Sequence, residues 1–190
     1  MMIQIRNAEI SDAPAVARLI MMAMTHECCQ YFCGEGRGLD DFRRMMQTLV
    51  ERNDSQYSYL NTIVAEDAGR VVGAIVAYDG GRLHELRRAF ISQAKTDLNK
   101  DHADIDDETS AGELYLDSLA VEPAFRRRGI ATMLINAMKH RAADLSIGRV
   151  GLLVDKGNPD GEALYATCGF CYVNDSSWGG HAMKHLTVDV

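Results

Sequence analysis

The chain has 190 residues, 47% of them hydrophobic and 25% charged, with a formal net charge of −7. These values suit one domain with a full core. The acidic balance argues against general nucleic-acid or anionic-membrane binding and fits a cationic substrate better, although many acidic proteins simply stay soluble this way. No run of about eighteen apolar residues points to a membrane span, and the N-terminus lacks a secretory pattern, so a cytoplasmic setting is expected.

In chain order, Ile3 and Ile5 alternate as in a half-buried strand. Ser11 or Asp12 then caps a helix with Pro14 in its first turn and Val16, Leu19, Ile20 and Met24 on its apolar stripe. Residues 28–37 read as irregular and glycine-rich, and 39–52 as a second helix. Strands at 61–65 and 71–78 flank a glycine-containing hairpin turn. The long segment 79–110 splits in two. Its first half has helical periodicity, while HADIDDETSAG is acidic and unpatterned, the mark of a lid or, more simply, a solvated disordered loop. A strand at 113–121, a helix at 129–145, a buried strand at 150–154, a short helix at 159–167 and strands at 170–173 and 183–188 complete the chain. The order gives a single α/β domain over 1–190, with a mixed sheet and an insert at about 79–110.

Neither the cysteines nor the histidines announce a metal. Cys28, Cys29, Cys33, Cys168 and Cys171 lack the paired CxxC units of a zinc ribbon and are expected to be buried or inert thiols in a reduced setting. The six histidines lack ligand spacing with a convincing third ligand.

The informative stretch is ELYLDSLAVEPAFRRRGIATML, from Glu113 to Leu134. A strand leads through a turn at Pro123 into a basic, glycine-containing loop and then a helix. The helix start offers unpaired N–H groups and a partly positive end, which together favour a pyrophosphate. Gly129 and Ala131 allow close backbone approach. Arg126, Arg127 and Arg128 offer charge-assisted bonds, although three solvated cations on a turn would look the same. Neither GxGxxG nor a P-loop lysine is present. Downstream stands Asn158-x-x-Gly161-x-x-Leu164-Tyr165-x-x-x-Gly169-Phe170.

Arg126-x-x-Gly129-x-Ala131, the preceding Leu119-Ala120-Val121 and Pro123, and the Asn158–Phe170 pattern resemble the GCN5-related N-acetyltransferase (GNAT) superfamily. Gly161 departs from that family's small alanine. The resemblance implies a mostly antiparallel central sheet whose two central parallel strands, 113–121 and 150–154, splay to admit the pantetheine arm. It implies acetyl-CoA as co-substrate and a direct attack by an amine, without a covalent enzyme intermediate. The backbone N–H of Leu119 or Ala120 is then the oxyanion donor, and Val121 holds pantetheine. Arg126, Arg127, Arg128, Gly129, Ile130 and Ala131 hold the pyrophosphate. Asn158 contacts the cofactor, and Tyr165 donates a proton to the leaving thiolate.

A general base is sought on the strand Glu113, Tyr115, Asp117, Leu119, whose alternation places these residues on one face. Asp117 is favoured over Glu113, and a bulge aspartate with a structural role is the alternative. His26, Glu27 and Tyr31, and Tyr78 with Asp79, are further candidates for the acceptor pocket. The alternative function is a catalytically inactive acyl-CoA sensor. The expected partners are acetyl-CoA and an amine, with no metal, no nucleic acid and no membrane, in a monomer or homodimer.

Overall fold

The computed structural model describes residues 2–190. Seven strands are ordered β1-β2-β3-β4-β5-β7-β6 in one sheet: β1 Ile3–Asn7, β2 Thr62–Asp67, β3 Arg70–Asp79, β4 Leu114–Val121, β5 Arg149–Asp155, β6 Cys171–Trp178 and β7 His181–Asp189. All neighbours are antiparallel except β4 and β5, as the resemblance implied. Six helices connect them: α1 Ala13–Ala23, α2 His26–Cys33, α3 Leu39–Glu51, α4 Leu83–Leu98, α5 Ile130–Asp144 and α6 Pro159–Thr167.

Strand alternation divides the core into two layers. Val64 and Val76 face α1, α3 and α4, where Val16, Leu19, Phe42, Met45, Leu49 and Phe90 are buried. Ile75 and Leu116 face α5, against Ile130, Leu134 and Met138. The methionines fill these layers as apolar, adaptable side chains.

β4 and β5 pair only at Leu114–Val150 and Tyr115–Gly151. Beyond Tyr115 the strands diverge, so the backbone of β4 there has no strand partner on the β5 side. β4 also carries a bulge. Val76 faces Ser118 and Ala77 faces Leu116, which leaves Asp117 without an opposite residue. The extra residue changes the side-chain alternation. Leu114 and Leu116 lie in the α5 layer, and after the bulge Leu119 and Val121 do so. Tyr115 packs instead with Tyr78, Leu83 and Leu86. The expectation that Glu113, Tyr115, Asp117 and Leu119 share one face is therefore corrected at Leu119.

Two further expectations change. Residues 26–33 are helical rather than irregular, because the Thr25 hydroxyl caps the first turn by accepting from Cys28 N at 3.1 Å. Cys29, Phe32 and Cys33 bury its inner stripe. The last two strands are longer than their apolar cores suggest, and Gly179 and Gly180, both at positive φ, turn the hairpin between them.

The acidic half of the insert is not a loose loop. Arg87 of α4 is only 5% exposed. It donates to the carbonyls of Ile105 (3.1 Å) and Asp106 (3.0 Å), to Asp107 (3.0 Å), and to the Glu108 carboxylate. Residues 99–113 thus run as a strap across the sheet end. All five cysteines are free thiols, and Cys171 is exposed rather than buried.

Candidate active site

The anion loop is set by β4 and its exit. Glu122 N donates to Val72 O at 2.8 Å, a short turn spans Pro123–Phe125, and Arg126 Nε donates to Val121 O at 2.9 Å. Arg126 therefore secures the loop to the strand end through one of its nitrogens. Arg127 takes φ 60° and Gly129 φ 76°. Gly129 is the residue before the first turn of α5, so the unpaired N–H groups of that turn follow it directly. Arg127 and Arg128 are exposed. The guanidinium of Arg128 lies 5.4 Å from the Phe125 ring centre, in cation–π range.

The splay between β4 and β5 opens a cleft of about 570 Å³. Asp117, Ser118 and Leu119 line it from β4, Leu153 to Asp155 from β5, and Asn158 and Tyr165 from the α6 region. Of the residues singled out in the sequence, the cleft unites Asp117, Leu119, Asn158 and Tyr165. Ala120 and Val121 are buried, 8% and 7% exposed, and the Arg126–Ala131 loop continues beyond them outside the cleft wall.

Asp117 combines the bulge with polar contacts. It accepts from the Ser118 hydroxyl at 2.8 Å and from Gln56 Nε2 at 3.4 Å. Burial, and then the nearby Glu108 carboxylate, push its carboxyl up to about 7. Such a group exchanges its proton near neutrality, as a general base should. Tyr165 packs edge-on against Phe170 at 5.7 Å. Burial, with a smaller contribution from Cys168, pushes its phenol up to about 12, so it stays protonated through neutral pH. Asn158 caps α6 by accepting from Gly161 N at 2.9 Å.

Glu113 is withdrawn as a base. Its carboxyl accepts from the Thr109 hydroxyl at 2.6 Å, lies 2.8 Å from His185 Nε2 and packs over Gly151. Asp79 serves a turn by accepting from Gly81 N at 2.9 Å. His26 is exposed and lines neither cavity. Glu27 and Tyr31 line a second cavity of about 310 Å³, which shares Cys28, Phe32, Ile105, Trp178 and His181 with the first. Among the described residues no group of three His, Cys, Asp or Glu side chains could hold a metal ion. No helix among the described residues is long and apolar enough to cross a membrane.

Sequence reasoning missed Gln56 and Arg87. It read Glu108 only as one of an acidic run (Asp101, Asp104, Asp106, Asp107, Glu108) that would attract a cationic amine or simply be solvated. Gln56, Arg87 and Glu108 are all buried and line the cleft. Gln56 carries no local signal. Arg87 and Glu108 had one, a cation on a periodic helix followed by an acidic run.

Comparison with known proteins agrees with the architecture. The family model described as the acetyltransferase (GNAT) family matches residues 21–170. A solved structure described as an acetyltransferase is 27% identical, with a TM-score of 0.84, covering 98% of this chain and 99% of its own. An N-acetyltransferase from Staphylococcus aureus Mu50 is 23% identical with a TM-score of 0.76, covering 97% and 100%. The PaiA N-acetyltransferase from Thermoplasma acidophilum, solved with coenzyme A, shares the fold at 15% identity and a TM-score of 0.59, covering 97% and 98%. No curated protein matches the chain. The chain belongs to the GNAT family of acetyltransferases, and its splayed mixed sheet is the fold of that family.

Proposed function

We propose that the protein transfers an acetyl group from acetyl-CoA to a primary amine by direct attack. The observation that carries the reading is the meeting of Asp117 and Tyr165 on one cleft at the strand splay, one poised to accept a proton and the other to give one. In this reading the pyrophosphate rests on the start of α5, with Gly129, Ile130 and Ala131 giving backbone access and Arg127 and Arg128 adding charge. Arg126 holds the loop to Val121. The pantetheine arm runs along Val121 into the gap beyond Tyr115, where β4 has no β5 partner, and Asn158 borders it.

The amine nitrogen attacks the thioester carbon, and the backbone N–H of Leu119 or Ala120 receives the developing oxyanion. The nitrogen's proton passes to Asp117. The carbon–sulfur bond breaks, and the thiolate takes the Tyr165 proton. No acyl-enzyme is needed, and Cys168 and Cys171, at the end of α6 and the start of β6, do not line the cleft. Structures that share the fold include complexes with coenzyme A.

Thiol release from acetyl-CoA against a panel of amines tests the proposal. Tyr165→Phe and Asp117→Asn should each lower kcat by roughly 100- to 10,000-fold, in the range of lost proton-transfer catalysis. Coenzyme A binding without turnover on any amine would favour an acyl-CoA sensor. Absence of coenzyme A binding would sink both readings.

A further inference from the structure

The strap 99–113 brings a second carboxylate to the cleft. Glu108 is 9% exposed and is held by three side chains from three elements. Arg87 of α4 donates to Oε2. Tyr78 of β3 donates to Oε1 at 2.6 Å. Gln56, on the loop between α3 and β2, reaches Oε1 with Nε2 at 3.4 Å. The same Nε2 lies 3.4 Å from Asp117 Oδ2, so one amide bridges the two carboxylates. The amide oxygen of Gln56 is buried without a partner among the described residues, so the two carboxylates alone orient the group.

An ordinary surface loop would not place a carboxylate here. A buried anion is retained only where donors and a counter-charge satisfy it, and Arg87 supplies both. That pairing does not remove the influence of Glu108 on Asp117, because Gln56 carries no charge and the two acids share it. We propose that Glu108, delivered by the strap and fixed by Arg87 and Tyr78, is a positioning residue for Asp117 and sets the pH range in which the acceptor amine is deprotonated.

The proposal rests on Asp117 acting as the base. The charged and titratable groups facing Asp117 come from every element around it: Glu108 from the strap, Arg87 from α4, Cys28 from α2, Tyr57 from the loop before β2, Tyr78 from β3 and Tyr115 from β4. Cys28 and the three tyrosines are all held in their neutral forms at pH 7, because burial and the acids push each of them up. That leaves Glu108 and Arg87, which act on Asp117 in opposite directions. Glu108 makes ionisation of Asp117 harder, and Arg87 makes it easier.

The test is carbon-13 NMR titration of the Asp117 carboxyl in the full chain, which needs no turnover, with the pH profile of kcat/KM alongside. Glu108→Gln keeps the shape and the Tyr78 bond but removes the charge. It should move the Asp117 midpoint and the acidic limb of kcat/KM down by about one unit or more. Tyr78→Phe costs a hydrogen bond to the same carboxylate but keeps the charge, and should leave the midpoint in place. An Asp117 midpoint unmoved in Glu108→Gln overturns the proposal, as does an equal shift in both variants. If the midpoint moves while Asp117→Asn keeps full turnover, the electrostatic coupling stands. In that case the assignment of Asp117 as base fails, and the inference about the amine fails with it.

Discussion

The two halves of the proposed site are built from different materials. On the proposed coenzyme side the groups that matter belong to the backbone: the end of β4, the loop held by Arg126 and the first turn of α5. They lie within some fifteen consecutive residues. On the acceptor side the groups are side chains drawn together from far apart. Gln56, Tyr78, Arg87, Glu108 and Asp117 come from five places in the chain and meet through hydrogen bonds spanning 21 to 61 residues of sequence. A backbone site is specified by local conformation, so it tolerates changes in side chain but not in φ. A side-chain site is specified by the packing of whole elements, so it fails when an element is displaced.

The largest expected effect breaks the coenzyme half. Gly129 sits at φ 76° in front of the helix, with nothing within 4 Å of where a Cβ would stand. A β-branched residue there has room for its Cβ but is strained by roughly 1–3 kcal/mol in that conformation. The loop relieves the strain by turning its N–H groups away from the pyrophosphate. Gly129→Val should raise the KM for acetyl-CoA roughly 100-fold, about the worth of one charge-assisted hydrogen bond, and leave the KM for the amine unchanged. An equal rise in both would mean that the two halves are not separable.

A smaller effect breaks the acceptor half through packing. Gly80 is buried where β3 gives way to α4, and its N–H donates to Glu113 O at 3.0 Å. A Cβ there would fall 2.2 Å from Ser110 O and 2.5 Å from Thr109 Oγ1. The first of these is backbone and cannot swing aside. Gly80→Ala should push the end of the strap outward and cost about 1–3 kcal/mol, as overpacking does. Steady-state kinetics should then show a raised KM for the amine with the KM for acetyl-CoA intact, the reverse of the Gly129 variant.

The same contrast explains what the sequence disclosed. The layout of the loop after β4 was legible because its instructions are contiguous, with a strand, a glycine and a helix start in order. Tyr165 was legible because Asn158, Leu164 and Phe170 fix its helix around it. Asp117 was legible as a residue but not in its setting. Nothing in LYLDSLAV marks the extra residue that turns Leu119 into the α5 layer. The strap was misread as a solvated loop because its acids look unpatterned until Arg87, some twenty positions earlier, is seen to collect them. α2 was missed because its inner stripe consists of cysteines and one phenylalanine, and its cap is a single threonine.

The smallest effect sharpens the comparison at the border of the two halves. Gly161 stands where the family pattern carries a small alanine, and the structure gives a local reason. A Cβ at Gly161 would lie 2.7 Å from Asn158 Nδ2 and 2.9 Å from its Cγ. These atoms belong to an exposed side chain that caps α6 by accepting from Gly161 N. Gly161→Ala therefore meets a neighbour that can give. The alanine favours the helix by up to about 1 kcal/mol, while a displaced cap costs about the same. Net stability should change by less than about 1 kcal/mol in either direction, read from the midpoint of thermal unfolding. The rotamer of Asn158 should change even so. If Asn158 contacts the cofactor, the KM for acetyl-CoA rises a few-fold with the stability unchanged. If its service is confined to the helix cap, the KM stays where it was, and the coenzyme half ends at the α5 loop.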